Sequence, residues 1–72
     1  MLSFGKKLAA LRKEKKFSQM ELAGQLSTSV SVISRYERDE MTPSIETAKK
    51  LAALLGTSVG YLLGETEEDD LL

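Results

Sequence analysis

The 72-residue chain is long enough for one small domain, with a core too small to leave a wide margin of stability. It has no cysteine and no histidine, which excludes a disulfide framework and a thiolate metal site and removes the commonest general base and metal ligand. The net charge of −1 hides a division: five acids, Glu65, Glu67, Glu68, Asp69 and Asp70, leave residues 1–64 with ten basic against six acidic groups, a balance of +4.

The spacing of Phe4, Leu8 and Leu11, at i, i+4 and i+7, predicts a first helix with one apolar face, capped by Ser3. Six of the ten basic residues, Lys6, Lys7, Arg12, Lys13, Lys15 and Lys16, belong to this segment, and those at its end complement the helix dipole. A second helix starts at S-Q-M-E, where Ser18 and Glu21 form a capping-box pattern, and it buries Leu22, Ala23 and Leu26. Ser27 and Thr28 interrupt the pattern, and Ser29 caps a third helix over about residues 30–38. Asp39 to Pro43 read as a loop, since proline disfavours helix in the residue before it. Ser44 caps a fourth helix with Ile45, Ala48, Leu51, Ala52 and Leu55 facing inward, and Gly56 closes it. Thr57 or Ser58 caps a short fifth helix carrying Val59, Leu62 and Leu63, which stops at Gly64. Residues 65–72 are expected to be an acidic, disordered tail. The fold class is therefore all-α, with five short helices in residues 1–64. No apolar run reaches the length of a bilayer span and no signal-peptide pattern precedes the first charges, so a cytoplasmic protein is expected.

The charge division suits a polyanion-binding body, and suits equally a solvated helix face. Two short helices separated by a tight break, the second amphipathic, have the geometry of a helix-turn-helix, although an ordinary helical hairpin has the same pattern. The residues are more specific. F-G-K-K-L-A-A-L-R-K, S-Q-M-E-L-A, S-V-I-S-R-Y-E, P-S-I-E-T-A-K-K-L-A-A-L-L-G and V-G-Y-L-L-G occur in order and in register. Together, over about residues 3–64, they resemble the phage-repressor and Cro type of helix-turn-helix domain, the XRE-like family. The resemblance implies a compact five-helix, lambda-repressor-like domain that binds duplex DNA, usually as a dimer, and regulates transcription. Three positions depart from the family pattern. Ser27 and Asp39 stand where glycine is usual, and Gly60 replaces a commonly acidic residue. Serine fits at 27 only if that backbone avoids the left-handed region or tolerates strain, whereas aspartate accepts that region more readily.

On a helical wheel of about 100° per residue, Val30, Ser34, Arg38, Ser31 and Arg35 share an arc of about 140°, opposite Ser29, Ile33 and Tyr36, with Val32 beside them. Ile33 and Tyr36 are expected in the core. The outward set suits a major groove: arginine pairs with guanine, serine donates or accepts, and Val30 rests on a thymine methyl. Val30 filling a gap beside the second helix is the alternative. Base contacts concentrate in the N-terminal part of a recognition helix, which assigns Arg35 to a base edge and Arg38 to phosphate.

The resemblance implies further roles. A glutamine opening the second helix, here Gln19, approaches the DNA backbone and a base or neighbouring recognition residue; an ordinary exposed glutamine is the alternative. Arg12 and Glu37 are implied to form a structural ion pair, with a DNA contact by Arg12 as the alternative. The loop after the third helix offers Thr42 and Ser44 for phosphate but no lysine, and it carries Glu40. Lys6, Lys13, Lys15 and Lys16 are candidates to make up that charge. The expected DNA-facing set is thus Gln19, Ser29, Val30, Ser31, Ser34, Arg35, Arg38, Thr42 and Ser44.

The expected partners are palindromic double-stranded DNA and a second copy of the chain, paired through Val59, Tyr61, Leu62 and Leu63. Neither a cofactor nor a metal is expected, nor an enzyme, since no nucleophile–base arrangement is visible. The reading that fits best is a transcriptional regulator of repressor type. An antitoxin whose tail docks a toxin and an interaction module without DNA binding stay open. So does docking of a partner through Leu71 and Leu72, or a place as the first domain of a longer repressor.

Overall fold

Each helix begins at a serine whose backbone is extended and whose Oγ accepts the amide proton three residues on, which satisfies one orphan donor of the first turn. Such a cap contributes about 1 kcal/mol. The helices so opened are α1 (Phe4–Glu14), α2 (Gln19–Gln25), α3 (Val30–Glu37), α4 (Ile45–Leu55) and α5 (Val59–Leu63). The computed structural model describes residues 2–64, and among these it contains five helices and no strand. The acidic segment 65–72 lies outside the described residues. No helix among the described residues is long and apolar enough to cross a membrane.

The predicted caps are all present. Ser18 and Glu21 complete a reciprocal capping box, with the Glu21 carboxylate accepting from the Ser18 amide at 2.8 Å. Gly56 and Gly64 end α4 and α5 in the left-handed conformation, at φ 70° and 84°. Of the two residues offered as the cap of α5, Ser58 takes the position. The third helix closes one residue early, so that Arg38 is its C-cap.

Leu8, Leu22, Ile33, Leu51, Leu55 and Leu62 are fully buried and draw all five helices onto one core. Tyr36 joins them and meets the edge of Phe4, with ring centroids 6.0 Å apart at 73°. α3 packs against both α1 and α2, while α5 packs against α1 and α4. Ile45 departs from expectation: it is 58% exposed instead of facing inward. Ala48, Leu51, Ala52 and Leu55 centre the buried arc of α4 about 70° away from Ile45 on the wheel, and Ile45 is also the first helical residue. Both facts carry it past the edge of the core.

Among the described residues three that are not glycine are left-handed: Lys16 (φ 63°), Ser27 (φ 55°) and Asp39 (φ 61°). For Ser27 this decides between the two conditions set by the sequence: the backbone is left-handed, and the turn between α2 and α3 carries the strain. Asp39 has compensation. Its carboxylate accepts from the Ser3 hydroxyl at 2.7 Å and from the Gly5 amide at 2.9 Å, tying the end of α3 to the first turn of α1. These two bonds, first that from Ser3, with the nearby charge of Lys6, hold the Asp39 carboxyl below its ordinary range. The same junction explains why Gly5 is glycine. A Cβ there would lie 2.7 Å from the Tyr36 carbonyl oxygen and closer still to that of Glu37.

Two substitutions should therefore act in opposite directions in urea denaturation followed by circular dichroism. Gly5→Ala forces α1 off α3 and should lose about 1–3 kcal/mol, the usual cost of overpacking. Ser27→Gly relieves the left-handed serine and should gain up to about 1 kcal/mol, net of the extra freedom glycine has when unfolded. A neutral Gly5→Ala would contradict the close approach.

Candidate nucleic-acid interface

α3 divides as its sequence requires. Ile33 and Tyr36 are buried and Val32 packs half-buried beside them, so the opposite arc is left outside. Ser31, Arg35 and Arg38 on that arc are exposed, and Ser34 is half-buried. Val30 is 40% exposed, a large apolar group left at the surface, which disfavours its use as a gap-filler beside α2. Ser29 spends its Oγ on the cap of α3, accepting from the Val32 amide at 3.3 Å, and its exposed position leaves it at the outer rim of the turn.

Glu37 lies on the inner side of the same helix and organises its surroundings. Its carboxylate accepts from Arg12 Nε at 2.6 Å and Nη2 at 3.2 Å, a two-pronged pair with side chains only 11% and 9% exposed. The third prong of Arg12, Nη1, donates to the Phe17 carbonyl at 2.9 Å and fixes the chain between α1 and α2. Gln19 Nε2 donates to Glu37 Oε1 at 2.9 Å. One carboxylate on α3 thereby holds α1, the following turn and the start of α2. Arg12 faces inward, in the arrangement the resemblance implies. Gln19 is half-buried with its amide nitrogen engaged, and its position beside α3 differs from that of a freely exposed glutamine.

At the outer end of α3 a second chain of contacts forms at the surface. Arg38 donates through Nε to Glu40 Oε2 at 3.0 Å, through Nη2 to Glu40 Oε1 at 3.1 Å, and through Nη1 to Ser34 Oγ. The hydrogen bonds and charge of Arg38 lower the Glu40 carboxyl from its ordinary value and raise the Arg38 guanidinium correspondingly. The sequence pattern assigns Arg38 to phosphate and leaves Glu40 as a repulsive charge. In the structure the arginine fork is engaged by Glu40 and Ser34.

The remaining candidates sit apart from these networks. Thr42 is exposed in the loop after α3. Ser44 caps α4, accepting from the Thr47 amide at 3.2 Å and donating to Thr47 Oγ1 at 3.1 Å. Lys6, Lys13, Lys15 and Lys16 are exposed. Lys7, which the charge pattern groups with them, turns inward: it is 4% exposed, donates to the Tyr61 carbonyl at 2.8 Å, and stands 4.5 Å from the Tyr61 ring centroid. Its place on the buried side of α1, one residue before Leu8, was the available signal. Among the described residues no group of three or more carboxylates, histidines or cysteines is placed to hold a metal ion.

An exposed polar arc with one apolar residue, backed by a helix whose start is bonded to it, has the chemistry to meet base edges. The profile of the family described as helix-turn-helix matches residues 8–62. The chain belongs to the helix-turn-helix family. Among its helix-turn-helix relatives is the immunity repressor protein of Bacillus phage phi105, 36% identical over 64 residues, covering 89% of this chain and 44% of that protein. Another is the HTH-type transcriptional regulator ImmR of Bacillus subtilis, 38% identical over 76 residues, covering 99% of this chain and 60% of the relative. The chain thus spans about half the length of the curated relatives it matches. Among solved structures it is similar to the P22 c2 repressor in complex with a synthetic operator. The TM-score is 0.85 at 32% identity, covering 92% of this chain and 100% of that one.

Removing one member of a buried ion pair leaves the other uncompensated, whereas replacing both with apolar groups does not. Glu37→Ala should therefore lose about 3–5 kcal/mol of unfolding free energy, and the charge reversal Glu37→Lys should unfold the domain. The double variant Arg12→Met/Glu37→Leu should lose markedly less than Glu37→Ala in the same denaturation measurement. Equal losses would show that the pair itself is not what holds α1 to α3.

Proposed function

We propose that this chain is a sequence-specific double-stranded DNA-binding transcriptional regulator, a repressor, that reads the major groove with α3. The observation that carries the proposal is the outward arc of α3. Val30, Ser31 and Arg35 are exposed there, while Ile33, Tyr36 and Glu37 fix the helix from behind. The likeness to the P22 c2 repressor bound to its operator supports the same reading. In this reading Arg35 meets a base edge, Val30 a thymine methyl, and Ser31 a base or the adjoining backbone. The start of α2 at the half-buried Gln19 and the segment from Thr42 to Ser44 flank α3 and take the phosphates, with exposed lysines of α1 adding charge.

One domain of this size reads few base pairs, so two copies on a palindromic operator supply the specificity, with half-sites about 34–36 Å apart or a multiple of that. Val59, Tyr61 and Leu63 on α5 are half-buried in the monomer and offer the apolar surface for pairing. Leu62, expected to join them, is fully buried in the core and is not part of that surface. Residues 1–64 act as the DNA-binding unit.

A second reading, an interaction module without DNA binding, draws on one observation. The Arg38–Glu40 pair neutralises positive charge beside a loop that has no lysine. Selection of bound duplexes from a random pool, followed by fluorescence anisotropy across salt concentrations, separates the two. The proposed function requires a palindromic preference and a plot of log affinity against log salt that falls steeply. Arg35→Ala should weaken operator binding by roughly 5- to 150-fold, the equivalent of about 1–3 kcal/mol. A salt slope indistinguishable from zero, or Ser31→Ala and Arg35→Ala variants that bind as the parent does, would favour the module.

A further inference from the structure

Ser34 is the half-buried member of the outward arc, and its hydroxyl is not free to orient at random. It lies one turn before Arg38, on the same strip of α3, and accepts a hydrogen bond from Arg38 Nη1. Arg38 is in turn held on its other two nitrogens by both oxygens of Glu40, at 3.0 and 3.1 Å. The three residues form a relay along the surface in which every member's direction is set by the next. A serine hydroxyl has one proton to donate and two lone pairs with which to accept. With one lone pair taken by a charged donor, the hydroxyl is polarised towards donating its own proton, and a second donor approaching it meets the arginine charge.

We infer that Glu40 holds Arg38 as a positioning residue, and that Arg38 presents the Ser34 hydroxyl to the groove as a hydrogen-bond donor, making Ser34 a specificity determinant against cytosine. The inference rests on the DNA-binding reading above. Guanine shows two acceptors in the major groove, adenine and thymine one each, and cytosine only its amino donor. A donating Ser34 therefore accepts guanine, adenine or thymine on the contacted strand and rejects cytosine. Arg38 gives up a phosphate contact to do this. The arrangement also accounts for an acidic residue beside a DNA-facing helix: Glu40 neutralises a guanidinium whose task is orientation.

The test is selection from a random duplex pool by the full chain and by three variants, Ser34→Ala, Arg38→Met and Glu40→Ala, each with its salt dependence. All three side chains lie at the surface or half-buried, and circular dichroism melts establish that each variant is folded. The parent should exclude cytosine at one position of each half-site. Ser34→Ala and Arg38→Met should admit cytosine at that same position, to within about threefold of the preferred base, with preferences elsewhere kept and the Arg38→Met salt slope equal to the parent's. Glu40→Ala should release Arg38 to the backbone and steepen the slope by about 0.9, the increment for one added phosphate. The inference is overturned if Arg38→Met flattens the slope by about 0.9 while cytosine stays excluded, because Arg38 is then a phosphate clamp. It is also overturned if Ser34→Ala changes no position. A parent that selects no duplex at all defeats the DNA-binding reading itself, an outcome distinct from either.

Discussion

The carboxylate of Glu37 is the constraint on which the arrangement of the first three helices depends. It is a single acidic group set on the inner side of α3, almost out of water. A charge so placed is tolerated only when its lone pairs are met, and they are met by Arg12 from α1 and Gln19 from α2. Arg12 uses its remaining prong on the Phe17 carbonyl, so the turn between α1 and α2 is bound into the same network. The direction in which α3 presents its outer arc is therefore fixed from behind by charged hydrogen bonds. Apolar packing of Ile33 and Tyr36 alone would let the helix slide and rotate more freely. A protein that reads base edges needs its side chains held to within a fraction of an ångström, and a polar junction specifies one register where an apolar contact allows several.

So small a domain needs its local signals to agree. The helices run from five to eleven residues, lengths at which isolated helices do not persist in water. Serine caps, a capping box and two glycine stops supply local definition, and the leucine core supplies the cooperativity. The left-handed residues show where the chain accepts cost. Asp39 recovers it through two hydrogen bonds to the start of α1, and Ser27 lies at the turn that sets α3 against α2. The close seat of Gly5 under α3 and the Asp39 bridge lie at one junction, so the far end of α3 is also tied to α1. Lys7 does the same for α5, joining it to α1 through the Tyr61 carbonyl and ring.

Much of this was legible in the sequence, for a physical reason. Caps, stops and apolar periodicity are local, and they located all five helices, the buried side of α3 and the turn between α2 and α3. The Arg12–Glu37 pair is separated by 25 residues, and only the resemblance to a family pointed to it. What escaped was long-range or depended on where the core ends. The Ser3–Asp39 and Lys7–Tyr61 bonds join residues 36 and 54 apart, and no periodicity encodes them. Ile45 has the right residue type for burial but lies at the rim of the α4 arc, and Leu62 has the right position for pairing but is taken by the core. The linkage of Ser34, Arg38 and Glu40 spans only seven residues, yet a wheel shows which way side chains leave a helix and not whom they meet.

The most direct measurement is an NMR titration of the full chain with its selected operator duplex, following backbone amides together with the Arg12 Nε–H signal. If Glu37 holds α3 ready to meet the groove, the large shifts fall on the start of α2, on Val30, Ser31, Ser34 and Arg35, and on Thr42 to Ser44. The Arg12 Nε–H stays protected from solvent and keeps its position throughout. Shifts centred on α4, or an Arg12 signal that moves or exchanges as DNA is added, would contradict both the interface and the fixed junction behind it.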